Sequence, residues 1–187
     1  MADKRNLNIE AIMAAAAELV EETSFEALTL NSLAARLGVK PPSLYNHVTG
    51  IDDVRRRLAE VVAARMSAAI QTAAVGRSED EALTEMAHAY RRFATTHPEL
   101  YHAFLAAPRV GAASSLTLVA DTLRRVLAAY QLNEADEAHF IRIFHSGLYG
   151  FAALTNIGVF TRDIDASFEA LIDGQLAVLH MMKEATR

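Results

Sequence analysis

Between Lys40 and Thr49 the chain sets an ammonium, two hydroxyls, a phenol and an imidazole close together: Lys40, Ser43, Tyr45, His47 and Thr49, with Pro42 among them. These groups share the capacity to exchange hydrogen bonds with phosphate oxygens and base edges, and Pro42 offers an apolar surface to a thymine methyl. No serine, histidine and aspartate fall in an arrangement suited to acyl transfer. A second set consists of two Glu-x-x-His pairs, Glu85/His88 and Glu99/His102. That spacing brings a carboxylate and an imidazole onto one helical face, as in carboxylate-bridged metal bundles. The apolar stripe Leu83, Met86, Ala87, Tyr90 and Ala94 leaves Glu85, His88 and Arg92 on the opposite side, however, and no bridging glutamates project from two further helices. A solvated helix face is therefore the preferred reading of both pairs. No catalytic residue, metal or cofactor is expected.

The elements that must position Lys40–Thr49 are helical. A first helix runs from about Asn8 to Thr23, burying Ile9, Ile12, Ala16, Leu19 and Val20. A second opens at the N-cap residue Thr29, turns Leu33, Ala34 and Leu37 inward and stops at Gly38. A third is short and begins at Pro41 or Pro42, with Pro42 favoured because a residue preceding proline, here Pro41, avoids the helical region. Its inward pair is Leu44 and Val48, which leaves Ser43, Asn46 and His47 facing out. Two short helices joined by a tight turn, the second with a polar and aromatic outer face, make a helix-turn-helix whose second helix enters the DNA major groove. Thr49 and Asp52 have capping-box spacing and open a long helix to about Ala74. Beyond the break at Gly76–Asp80, helices are expected over 79–96, from Pro98, from beyond Pro108 and Gly111 to about Gln131, and over 134–157 and 163–183. The fold class is all-α with about nine helices. Residues 1–50 are expected to form a three-helix DNA-binding domain and residues 51–187 a second helical bundle.

Composition agrees with a buried core. The 187 residues are 52% apolar and include no cysteine, which excludes disulfides and thiolate metal sites. The polar N-terminus reads as no signal peptide, and no apolar run approaches the ~18–20 residues that span a bilayer, so a cytoplasmic location is expected. The net charge of −5 runs against nucleic-acid binding. Locally the balance reverses: Arg36, Lys40, Arg55, Arg56 and Arg57 face only Asp52 and Asp53 between Ala27 and Arg57.

Ile12, Ala15, Ala16, Leu19, Leu28-Thr29, Leu33-Ala34, Leu37-Gly38-Val39 and Ser43-Leu44-Tyr45, with His47-Val48, resemble the N-terminal domain of TetR-type transcriptional repressors across about residues 9–60. Tyr90–Ala94, His97–Tyr101 and Phe144–Phe151 are similar to a ligand-domain subgroup with a Trp-His-Gly motif, where this chain has Leu148-Tyr149-Gly150. The resemblance implies a homodimer that binds a near-palindromic double-stranded operator and is released by a small-molecule inducer. It places Pro42, Ser43, Tyr45 and His47 at base and phosphate contacts, flanked by Lys40 and Thr49. Lys4 and Arg5, on an N-terminal arm, can reach the minor groove. The lysine usual at the start of the helix after the motif is replaced by Ile51 beside Asp52 and Asp53, and Arg55, Arg56 or Arg57 is the candidate substitute. The glycine that usually ends the first helix is Ser24, which costs a little if that position is left-handed.

Two further expectations concern the last helices. Gly147, Gly150, Leu154 and Gly158 form a small-residue stripe, matched by Ala170, Gly174 and Ala177 (with Ala166), and glycine inside a helix costs ~1 kcal/mol unless close packing offsets it. The two stripes are read as a four-helix dimer interface; the alternative is close packing within one subunit. Tyr90, Tyr101, His102, Phe104, Arg142, His145 and Tyr149, with His139 and Ser146 on the same helix face, are candidates for a mainly apolar ligand pocket. The rival functions are a helical ligand-binding or adaptor protein without DNA binding, and a helical metalloenzyme.

Overall fold

The computed structural model describes residues 7–106 and 117–185. Lys4, Arg5, Pro108 and Gly111 lie outside the described residues. Among those described there are eight α-helices and two 3-10 segments, and no strand. The chain divides into two compact units, Met1–Arg65 with His97–Leu116, and Met66–Thr96 with Thr117–Arg187.

The first unit begins with α1 (Ile9–Glu22), whose first turn is capped by Asn8 accepting the Ala11 N–H at 2.8 Å. Thr23 ends it by bonding back to Leu19 and Val20. Ser24 does not adopt a positive φ, so the expected strain at that position is absent. α2 (Leu30–Leu37) opens with a capping box in which the Thr29 hydroxyl accepts the Ser32 N–H and the Ser32 hydroxyl accepts the Thr29 N–H. It closes at Gly38, φ 66°, with the Val39 N–H reaching back to the Ala34 carbonyl. A left-handed cap of this kind suits glycine.

The third element differs from the sequence expectation in type and start. It is a 3-10 segment, Pro41–Asn46, beginning at Pro41, the less favoured of the two expected starts. Neither proline has an N–H to lose at a helix start, where the first donors are unpaired anyway. Ser43 is the first residue able to donate, and it does so to Lys40 O at 2.9 Å, the i to i+3 pattern of a 3-10 turn. α3 (Ile51–Ala74) follows, with Asp53 rather than Asp52 accepting the Thr49 N–H at 3.2 Å. α5 (Pro98–Leu105) packs on α1 and adds Leu100, Tyr101 and Phe104 to a core of Ile12, Val20, Leu28, Leu33, Leu44 and Leu58.

The second unit holds α4 (Glu79–Thr96), α6 (Thr117–Leu127), α7 (Glu134–Asn156) and α8 (Ile164–Ala185), with the last turns of α3. A 3-10 turn, Ala128–Tyr130, extends α6 close to the expected end at Gln131. Leu83, Met86, Ala87, Tyr90, Phe140, Phe144, Leu148, Phe168, Ile172 and Leu179 fill its interior. At one end Asp80 accepts from the Tyr130 hydroxyl at 2.5 Å and pairs with His180 Nε2 at 2.8 Å, joining α4, the end of α6 and α8.

Candidate nucleic-acid interface and ligand cavity

Leu44 and Val48 are buried and hold the 3-10 segment against α2, to which it packs. That anchoring turns the other side of the segment outward. Tyr45 is 58% exposed; Lys40, Pro42, Asn46 and Thr49 are exposed; Ser43 and His47 are half-buried. All six residues assigned to nucleic-acid contact thus belong to one short, partly open strip.

The basic residues around this strip behave differently from their count. Arg36 pairs with Glu22 of α1. Arg55 turns onto the loop between α1 and α2, donating through Nη2 to the carbonyls of Glu26 (3.3 Å) and Leu28 (3.1 Å), with its guanidinium 5.8 Å from the Phe25 ring centroid. Arg56 bridges Asp53 and Glu60, each at 2.6 Å, and Arg57 Nε reaches Asp53 at 2.9 Å. Burial alone would push the Asp53 carboxyl up, but the Thr49 N–H and the two guanidinium groups hold it below its ordinary value. The Lys40 ammonium alone among the five has no ion pair or hydrogen bond to a described residue. None of the three arginines offered in place of the missing lysine is free; each has an intramolecular partner.

In the second unit a small cavity of about 20 Å³ is lined by Ile70, Met86, Tyr90, Ala120, Leu123, Ile141, Phe144, His145 and Leu148. The space is about that of a single water. Of the seven residues expected around a ligand, Tyr90 and His145 meet here, their rings 6.0 Å apart and edge to face. Burial lowers the His145 pKa, favouring the neutral imidazole. Tyr101, His102 and Phe104 belong to the first unit, where Tyr101 and Phe104 are buried core rings, and they line no part of this cavity. Arg142 and Tyr149 are exposed on α7, as are His139 and Ser146. The aliphatic lining was not identified from sequence because its helical spacing is that of ordinary core.

The glycine stripe resolves into separate roles. A Cβ on Gly147 would lie 2.1 Å from Gln175 Nε2, so Gly147 serves close packing of α7 on α8 within the subunit. Gly158, φ 76°, lies past the end of α7 and caps it, so it is not a member of a helical stripe. Gly150 and Gly174 face open space, and Leu154, Ala170 and Ala177 are exposed beside them.

Of the Glu-x-x-His pairs, His88 lies 3.5 Å from Glu169 and edge-on to Phe168. The pair Glu99/His102 is joined by Glu26 of the α1–α2 loop, and these three form the only cluster of potential metal ligands among the described residues.

Residues 12–58 match the bacterial regulatory proteins of the tetR family, and residues 83–175 match the tetracyclin repressor-like C-terminal domain. An uncharacterized HTH-type transcriptional regulator of Mycobacterium tuberculosis, Rv0681, is 34% identical over 89% of this chain and 78% of its own length. The chain belongs to the TetR family. As a TetR-family member it is a transcriptional regulator, of a family whose members bind DNA operators and act as dimers. The crystal structure of TetR from Acinetobacter baumannii AYE superimposes with a TM-score of 0.74 at 20% identity, covering 95% of this chain and 99% of that one. BioQ, solved with its double-stranded DNA operator, gives 0.71 at 22% identity, covering 92% and 99%. At those identities the two structures speak for the TetR fold. The long apolar helices raise no membrane reading: no described helix is long and apolar enough to cross a bilayer.

Proposed function

We propose that this TetR-family chain is a repressor that binds a near-palindromic operator as a homodimer and lets go when a small molecule enters its C-terminal domain. In this reading residues 1–50 bind DNA and residues 51–187 bind ligand and partner. The carrying observation is the outward strip of Lys40, Pro42, Ser43, Tyr45, His47 and Thr49 on a segment anchored by Leu44 and Val48. Exposed apolar side chains on the face of Gly150, Ile143 and Leu154, with Met181 on α8, support a second copy on α7 and α8, with Gly150, Ala170, Gly174 and Ala177 as the close-approach positions. The cavity at Tyr90 and His145 supports an inducer site, opened from its present volume. The finer placement in the Trp-His-Gly subgroup rests on the sequence around Tyr90–Ala94 and Phe144–Phe151. Tyr45→Ala and His47→Ala should each weaken binding to the DNA upstream of the chain's own gene at least tenfold in fluorescence anisotropy, with assembly unchanged by sedimentation. Unaltered affinity in both variants refutes the assignment of the reading segment. The internal pairing of Arg36, Arg56 and Arg57 favours one second reading, a helical ligand-binding adaptor without DNA binding. Salt-sensitive affinity of the wild-type chain for that DNA excludes it.

A further inference from the structure

We propose that Glu26, Glu99 and His102 form a binding site for one divalent transition-metal ion within the first unit. Glu99 and His102 stand one helical turn apart on α5, so both present ligand atoms from the same face. Glu26 comes to them from the loop between α1 and α2. One ligand atom from each residue lies within 4.8 Å of the others, and His102 Nδ1 is 3.6 Å from Glu26 Oε1. Ligands of a tetrahedral ion with bonds of ~2.0–2.1 Å sit about 3.4 Å apart, so the closer pair is already near that spacing and side-chain rotation brings in the third. The donor set of one imidazole and two carboxylates suits zinc, cobalt or nickel better than magnesium, which prefers oxygen and its own waters.

The surroundings orient these ligands. A Glu99 oxygen accepts the Phe25 N–H at 3.3 Å, and the His102 ring lies 6.3 Å from the Phe25 ring. Arg55 also fixes this loop, through the Glu26 and Leu28 carbonyls. Hydrogen bonds of this outer kind hold a metal ligand in its binding orientation. Glu26 and His102 side chains are 65% and 44% exposed, which leaves room for water in the remaining coordination positions. An ion bound here ties α5 to the loop that leads into the Thr29 cap of α2. The site lies wholly within the first unit and does not depend on the DNA-binding reading.

Cobalt(II) titrated into the purified full-length chain, followed by calorimetry and visible absorption, tests this. The expected result is one equivalent bound with micromolar affinity, ligand-field bands in the visible, and competition by zinc but not by magnesium. Glu26→Gln, an exposed change, and the double variant Glu99→Gln/His102→Gln should each weaken binding at least tenfold with unchanged circular dichroism. Glu85→Gln/His88→Gln should bind as the wild type does. Absence of binding at millimolar cobalt overturns the proposal and leaves an ion pair only. Undiminished binding in the Glu26 and Glu99/His102 variants overturns it equally, because the ion then sits on other histidines.

Discussion

Alanine at Gly147 and alanine at Gly150, on the same helix, should change stability in opposite directions. Each substitution gains ~1 kcal/mol of helix propensity. At Gly147 the new Cβ meets Gln175 Nε2 at 2.1 Å, Gln175 Cδ at 3.2 Å and Leu171 Cδ1 at 3.3 Å. Gln175 is 5% exposed and its amide donates to the Ile143 carbonyl at 3.0 Å, so it cannot swing aside without loss. Overpacking costs ~1–3 kcal/mol, and stranding a buried amide costs another ~1–3 kcal/mol. Set against the propensity gain, these costs should leave Gly147→Ala destabilised by about 3 kcal/mol, a fall in Tm of ~6–12 °C for a chain of this size. At Gly150 no atom lies within 4 Å, so the propensity gain stands in the isolated subunit. Should a second copy cover that face, Gly150→Ala weakens self-association instead, which sedimentation separates from folding. Urea melts at fixed protein concentration measure the first effect. Gln175→Ala introduced into Gly147→Ala should cost less than it does alone, since it removes the clashing amide. A Gly147→Ala chain as stable as the wild type, or additive double-variant energies, refutes this packing argument.

Asp53→Asn should free Arg57, while Arg56 keeps Glu60, raising DNA affinity and steepening the dependence of log K on log salt by about two for a dimer; an unchanged slope in anisotropy titrations counts against it. Arg55→Lys should cost ~1–3 kcal/mol in chemical denaturation, because an ammonium does not reproduce a guanidinium lying over Phe25 while its Nη2 meets two carbonyls, and wild-type stability in that variant refutes the role. Burial pushes the Asp80 carboxyl up, but the Tyr130 and His180 hydrogen bonds outweigh it and leave the pKa lowered. A lowered carboxylate pKa stabilises above the unfolded value and loses that contribution as pH falls through the folded one. Asp80→Asn should therefore flatten the acid side of the stability profile below about pH 4, and a Tm–pH curve that keeps the wild-type slope there rules the coupling out.

Local chemistry was the legible part of the fold. Thr29, Gly38, Asn8 and the break before Glu79 are recognised by what one residue does to its own backbone, and each sits where the sequence places it. The start of the 3-10 segment was not legible, because the pre-proline preference of Pro41 yields to the burial of Leu44 and Val48. Choices between partners far apart in sequence were hidden as well. Gly147 and Gly150 look alike in sequence, yet Gln175, 28 residues beyond Gly147, decides that only the first is packed. The cavity lining is likewise a matter of which core side chains meet across four helices, and Tyr90 and His145 apart, nothing in their types marks them.

The charge around the strip proposed to contact DNA is where this distinction bears on function. Arg36, Arg55, Arg56 and Arg57 look like a positive surface in the sequence, yet each is turned to a carboxylate or a carbonyl of its own unit. If the strip reads DNA as proposed, Lys40 is left to face a phosphate with its charge, beside the neutral donors Ser43, Tyr45 and Thr49. Counterion release scales with the number of charges that neutralise phosphates. A reader built this way draws more of its affinity from hydrogen bonds and shape than from charge. Its operator binding should therefore show a shallow salt slope, about −2 to −3 for a dimer using one lysine per subunit with modest help from other cations. A slope near −8 would mean that the arginine pairs open on DNA, and that the strip as it stands in the free protein is not the surface that binds.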